Sequence, residues 1–241
     1  MVRRGDALLY ERVAGLLREE FGEELLGVLV TGSRVHGTPG PTSDLDVHVV
    51  IAAPRRQRRN FVLDGVEIEL FINPPFQSRR YFADGRGHDP HMYTFGRVVY
   101  DPQGVMAELQ AEARAIWEAG PAPLNPNLTW LDRYFPADLL RDLEDVRDDE
   151  ATATLLIAAL VERLLATHYR VNGRWEAKAK RRLADLERWD PAAAGLARRA
   201  LASGVFAARQ KAVAGLADHI LRPIGGLMPI EWRTEWDEVQ P

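Results

Sequence analysis

The chain has no cysteine, which removes disulfides, thiolate metal sites and cysteine nucleophiles together. It has little charge excess: 31 basic against 35 acidic side chains leave a formal charge of -4. Binding to nucleic acid through bulk positive charge, the mark of strongly basic domains, is therefore not expected. No uninterrupted apolar run approaches the roughly 20 residues of a membrane span. The opening stretch MVRRGDALLYERVAGLL carries Asp6 and Glu11 inside its apolar part, which breaks a signal-peptide core. A cytoplasmic protein without a membrane partner is the expectation. Internal repeats and low-complexity segments are also lacking. What remains is ordinary globular composition, with 241 residues for one large domain or two modest ones.

Leu8, Leu9, Val13, Leu16, Leu17 and Phe21 recur at helical spacing and predict an amphipathic helix from about Arg3 to Phe21. Leu26 to Thr31 is a continuous apolar run that suits a buried strand, and Gly32 to Pro41 reads as a loop with room for one helical turn. Asp44 to Ile51 reads as a second strand. Phe61–Leu63 and Val66–Ile72 flank Asp64-Gly65, a two-residue hairpin signal. The pattern then turns helical from Pro75 to Gly96, passes through the short apolar piece RVVY, and turns helical again from Gly104 to Ala119. Gly120 to Pro126 holds three prolines and marks a boundary, so domains are expected at 1–122 and 123–241. Beyond it, Ala, Leu, Arg and Glu dominate to about Leu221, with breaks at Gly173, Asp190-Pro191 and Gly204; about five helices are expected. Leu155, Leu156, Ala159, Leu160, Arg163, Leu164 and Thr167 read as one buried stripe. The fold class that follows is α/β (α+β): a small mixed sheet with flanking helices, then an all-α bundle.

The sharpest signal lies between the first strand and the hairpin. Gly32-Ser33 follows a buried strand, Asp44 and Asp46 open the next, and Glu67 and Glu69 lie in the strand after the hairpin. Residues i and i+2 of a strand share a face, so Asp44 and Asp46 project together while Leu45, Val47 and Val49 face the core. Glu67 and Glu69 likewise share a face. If the strands are neighbours, three or four carboxylates converge, and two like charges about 4 Å apart repel by roughly 4 kcal/mol at an effective dielectric near 20. Hard divalent cations relieve that repulsion, and an all-oxygen donor set suits Mg2+. The Gly-Ser loop has the complementary chemistry, since glycine admits phosphate oxygens close to the backbone and Ser33 adds a hydroxyl.

The string TGSRVHGTPGPTSDLDVHVV resembles the signature of the DNA polymerase beta-like nucleotidyltransferase superfamily. Within it, the chain looks most like bacterial two-domain members related to aminoglycoside adenylyltransferases. The resemblance covers the N-terminal half through its motifs and the C-terminal half only in texture. It implies that Gly32 and Ser33 bind a triphosphate, and that Asp44, Asp46 and Glu69 are the catalytic carboxylates and metal ligands, with Glu67 the competitor for the third position. It implies Mg2+, with ATP or another nucleoside triphosphate as substrate, and transfer of a nucleoside monophosphate to a small hydroxyl-bearing acceptor from a cleft between the domains. Members of this kind also use a basic residue of the helical domain against the triphosphate, for which Lys178 is the first choice and Lys180 the second. A protein side chain as acceptor, in the manner of an antitoxin-like enzyme, and a non-catalytic nucleotide- or partner-binding module are the alternatives.

Other signals have plain readings beside the functional ones. GSRVHGT lacks the Lys-Ser/Thr pair of a P-loop after Gly37. His48 shares the face of Asp44 and Asp46 and reads as their neighbour. His36 is a loop residue, and His88 with His91 has ligand-like spacing but no evident partner. Arg55, Arg56, Arg58 and Arg59 read as a solvated basic loop. Arg163 and His168 resemble the Arg-x4-His ribonuclease motif of HEPN domains, but a spacing of five sets the side chains about 140° apart around a helix.

Overall fold

The structure, a computed structural model, describes residues 4–85, 87–125 and 129–236, with side chains of the first helix from Asp6 onward. Arg3, Pro126 and Pro241, which bound segments read from the sequence, lie outside these residues. By internal contacts the chain divides into two compact units, Met1–Pro121 and Ala122–Pro241.

The first unit begins with α1 (Arg4–Phe21), followed by β1 (Leu25–Thr31), β2 (Leu45–Ile51), β3 (Gln57–Leu63) and β4 (Val66–Asn73). Helices α2 (Pro75–Phe82) and α3 (His88–Phe95), strand β5 (Arg97–Tyr100) and helix α4 (Val105–Ala119) complete it. The five strands form one mixed sheet in the order β3-β4-β2-β1-β5. β2 and β4 run parallel, and every other pairing is antiparallel. The hairpin signal holds: Asp64 and Gly65, at φ 52° and 75°, both take the left-handed conformation that closes a two-residue turn.

Alternation along the strands sends side chains to two different layers. Leu45, Val47, Val49 and Ile51 pack with Leu9, Tyr10, Val13 and Leu17 of α1, while Val50 and Leu29 pack with Phe82, Tyr93, Met106 and Leu109 of α2 to α4. A register shift between Leu25 and Gly27 lets Leu25, Val28 and Val30 all join the α1 side. Leu8 and Leu16, read from spacing as core residues, are instead exposed. The stripe of α1 is centred on Leu9, Val13 and Leu17, and their neighbours at the flank fall outside it. The single helical stretch expected over Pro75–Gly96 is two helices, separated near Gly85 and Gly87, both at positive φ.

The second unit contains α5 (Thr129–Asp145), α6 (Glu150–Val171), α7 (Ala179–Trp189), α8 (Pro191–Ala202) and α9 (Phe206–Leu221). Its core gathers around α6, whose buried ladder is Ala153, Ile157, Leu160, Val161, Leu164 and Leu165. The stripe read from the sequence is rotated relative to this one: Leu155 and Ala159 face outward, and Leu160, Leu164 and Thr167 are buried. An Ala- and Leu-rich helix offers two neighbouring apolar faces, and packing chooses between them. α6 is also long and apolar enough to meet the length and composition of a membrane span, although charged residues interrupt its apolar runs. Its buried ladder makes it the central helix of this unit's core.

Candidate functional site

Topology brings the acidic strand residues together. β1 ends at Thr31, which pairs with Asp46 at the start of antiparallel β2, so the loop opening at Gly32-Ser33 emerges beside Asp44 and Asp46. β4 runs parallel to β2 with Asp46 opposite Glu69. Carboxylate oxygens of Asp44, Asp46 and Glu69 all lie within 4.8 Å of one another, and each residue is half-buried. Glu67 points the same way along β4 but sits farther toward the hairpin, opposite Val62 of β3. It is exposed, and accepts a hydrogen bond from Asn60 Nδ2 at 2.7 Å. Of the two glutamates, Glu69 is the one grouped with the aspartates.

The loop is held against this group. Gly32 has φ +88°, and a Cβ placed there would run into Asp46 Oδ2. The positive φ favours glycine, and a side chain there would also push the Asp46 carboxylate aside. Ser33 and Ser43 share a hydroxyl hydrogen bond of 2.9 Å, and Thr38 N donates to Ser33 O at 2.9 Å. Arg34 bridges the two ends of the loop region: Nε donates to Ser43 O at 3.0 Å and Nη1 reaches Asp6 of α1 at 3.3 Å. Ser43 and Arg34 are supporting residues that the sequence reading passed over. Their signal lay in plain sight, Arg34 next to the Gly-Ser pair and Ser43 directly before Asp44.

The site carries a cation of its own. Arg58 of β3 bonds Glu69 Oε1 through both Nε, at 3.1 Å, and Nη2, and its guanidinium lies 4.5 Å from the centre of the Phe71 ring. The basic cluster read as a solvated loop is therefore partly a strand: Arg58 and Arg59 belong to β3, with Arg59 paired to Glu20 of α1 and Arg55 to Glu24. Deeper on the same face of β2, His48 is buried and stacks on Phe71 at 4.9 Å, with Tyr93 edge-on at 4.8 Å. Burial pushes the Tyr93 hydroxyl well above the usual phenol range. His48 is thus a packed residue beneath the carboxylates. His91 lies among Phe95 and Trp117, with His36 6.4 Å away, whereas His88 pairs with Asp89.

Lys178 belongs to the second unit, where it is exposed as the residue preceding α7; Lys180 is exposed in that helix's first turn. Arg163 and His168 do not form a joint site. Arg163 lies over the Phe135 ring at 4.2 Å, and His168 bonds Asp190.

A half-buried, oxygen-only group of three carboxylates fits hard divalent cations by donor type and by the repulsion such ions would relieve. Residues 11–79 match the family model of the nucleotidyltransferase domain, a stretch from α1 into α2 that contains the whole carboxylate group and its loop. Among solved structures, a nucleotidyltransferase-like protein from Exiguobacterium sibiricum is similar at 15% sequence identity and a TM-score of 0.51, over 88% of this chain and 74% of that chain. That likeness is one of fold. Comparison with curated proteins finds no match. The family match supports generic nucleotidyl transfer as the chemistry of the first unit.

Proposed function

We propose that the first unit transfers a nucleoside monophosphate, with AMP from ATP as the leading case, to the hydroxyl of a small acceptor. The observation that carries this reading is the convergence of Asp44, Asp46 and Glu69 within 4.8 Å beside a glycine-opened loop. In this reading the Gly32-Ser33 backbone and the Ser33 hydroxyl cradle the triphosphate, with Ser43 and Arg34 keeping the loop in place. Asp44, Asp46 and Glu69 hold Mg2+, which when bound offsets the charge on the phosphates and lowers the pKa of a coordinated hydroxyl. The acceptor oxygen forms a new bond to the α-phosphorus as the bond from that phosphorus to the bridging oxygen breaks. Pyrophosphate leaves with the bond electrons, and the acceptor's proton passes to a carboxylate oxygen of the site or to water.

The acceptor is taken to be a small hydroxyl-bearing molecule, as the motif resemblance implies. The test is transfer of label from α-phosphate-labelled nucleoside triphosphates, with magnesium, into a set of hydroxyl-bearing compounds. The expected result is label on a small molecule with one pyrophosphate released per transfer. Asp46→Asn should slow this at least about a hundredfold, since a metal-held charge stabilises such a transition state by several kcal/mol. Label appearing only on protein would replace the small acceptor with a side chain. Nucleotide binding without any pyrophosphate release would leave a non-catalytic module.

A further inference from the structure

The second unit brings together three residues from distant parts of its sequence. His168 lies in the last turn of α6, Asp190 joins α7 to α8, and His219 lies in the last turn of α9. Asp190 Oδ2 lies 2.8 Å from His168 Nε2 and 2.7 Å from His219 Nε2, and all three donor atoms fall within 4.8 Å of one another. We propose that His168, Asp190 and His219 bind one zinc-class divalent ion, independently of the carboxylate site in the first unit.

Two of the three ligands are held by groups outside the cluster. Asp190 Oδ1 accepts from Ala193 N at 3.0 Å and caps α8, which fixes the carboxylate and leaves Oδ2 alone to face the two imidazoles. The His168 ring is buried and stacks on Trp189 at 4.8 Å and 23°. His219 is 36% exposed in its side chain, so the group opens to solvent on that side, and a water can complete four-coordination there. Two imidazole nitrogens and one carboxylate oxygen are the donors of zinc and its neighbours rather than of magnesium. With no cysteine in the chain, no thiolate competes for the ion.

The same atoms in the absence of an ion form a hydrogen-bonded clamp, and the two states differ in ways that can be measured. Tetrahedral ligands at zinc-nitrogen distances of about 2.0–2.1 Å stand about 3.3 Å apart, so binding opens each present contact by roughly half an ångström. It also requires the His168 proton to sit on Nδ1. Asn172 Nδ2 lies 3.2 Å from that atom and donates to His168 O at 2.8 Å. To accept the proton instead, the Asn172 amide turns over, exchanging Nδ2 for Oδ1 and giving up its bond to the carbonyl. A carboxylate at this position needs no turning, so Asn172→Asp should bind the ion more tightly. Outer-shell partners of this kind shift metal affinity by about 10–100-fold.

The test takes the full chain, stripped with a chelator and then titrated with Zn2+ against a chromophoric competitor, with bound metal counted by mass spectrometry after gel filtration. One zinc per chain is expected, with affinity falling more than about a hundredfold in His219→Ala, rising in Asn172→Asp, and unchanged in the control His88→Ala. Because a ligand variant can lose its fold, the wild type is also titrated with Co2+. The intense visible absorption of a tetrahedral nitrogen-oxygen site supports the proposal without any substitution. No such absorption, or zinc binding that is equal in wild type and in a folded His219→Ala chain, overturns it.

Discussion

At the scale of single residues, the contacts around the carboxylate group leave little freedom. Gly32 combines a positive φ with a position where any side chain meets Asp46 Oδ2. Gly32→Ala should cost about 1–3 kcal/mol of stability for the backbone conformation and displace the aspartate. Loss of label transfer well beyond the loss of folded protein, compared by activity assay and circular dichroism, is the expected outcome. Arg58 is different, because its own side chain is 65% exposed, against 17% for Glu69, so water reaches the pair from the arginine side. Exposed pairs contribute at most about 1 kcal/mol, so Arg58→Ala should free Glu69 and tighten the magnesium dependence of nucleotide binding by no more than about fivefold. A magnesium titration of the nucleotide-induced melting shift reads this directly. The sequence made Asp44, Asp46 and Gly32 legible because strand periodicity and a short motif fix them. Arg58 was not legible. Its role comes from a diagonal neighbour across the β3–β4 pairing, and register is a three-dimensional fact until the hairpin turn is placed.

At the scale of elements, the strands and the hairpin were readable because buried strands show continuous apolar runs and Asp64-Gly65 has few other uses. The helical faces were less so. Leu8, Leu16, Leu155 and Ala159 occupy helical spacings but face outward, because periodicity gives a stripe without fixing its centre. The support of α4 was also unread. Asp101, several residues upstream, accepts from Met106 N at 3.0 Å and Ala107 N at 2.9 Å. Asp101→Ala should cost about 1 kcal/mol and lower the melting temperature by a few degrees, with Asp101→Asn restoring part of it. Arg59 holds Glu20 by two bonds, at 2.8 Å and 2.7 Å, tying β3 to α1. The hydrogen bond from Arg59 holds the Glu20 carboxyl below the usual glutamate range. A depressed carboxylate stabilises the fold fully above its unfolded-state pKa and loses that contribution as pH falls below it. Acid unfolding followed by circular dichroism should therefore show a shallower loss of stability below about pH 4.5 in Glu20→Gln than in the wild type.

At the scale of the whole molecule, the mildly acidic balance and missing cysteines narrowed the chemistry but could not name it. The change of texture after the proline-rich stretch is what announced a second body of helices. The carboxylate group was legible because its residues lie on adjacent strands of one short segment. The histidine–aspartate group of the second unit was not, since His168, Asp190 and His219 are separated by more than 20 residues each and no local pattern links them. Hydrogen exchange should separate the two sites on one chain. Magnesium with nucleotide should protect amides of the Gly32–Ser43 loop and β2, whereas zinc should protect the ends of α6 and α9. Protection of the same amides by both ligands would contradict two distinct sites.

The most direct test of the central claim is the melting temperature of the wild type and of Asp44→Ala/Asp46→Ala with each nucleoside triphosphate, with and without magnesium. A ligand at about a hundred times its dissociation constant stabilises by roughly 2.7 kcal/mol, about 5–10 °C for a chain of this size. The account predicts a magnesium-dependent shift of that order for at least one triphosphate, absent in the double variant. No shift with any triphosphate in the wild type, or an equal shift in a folded double variant, would contradict it.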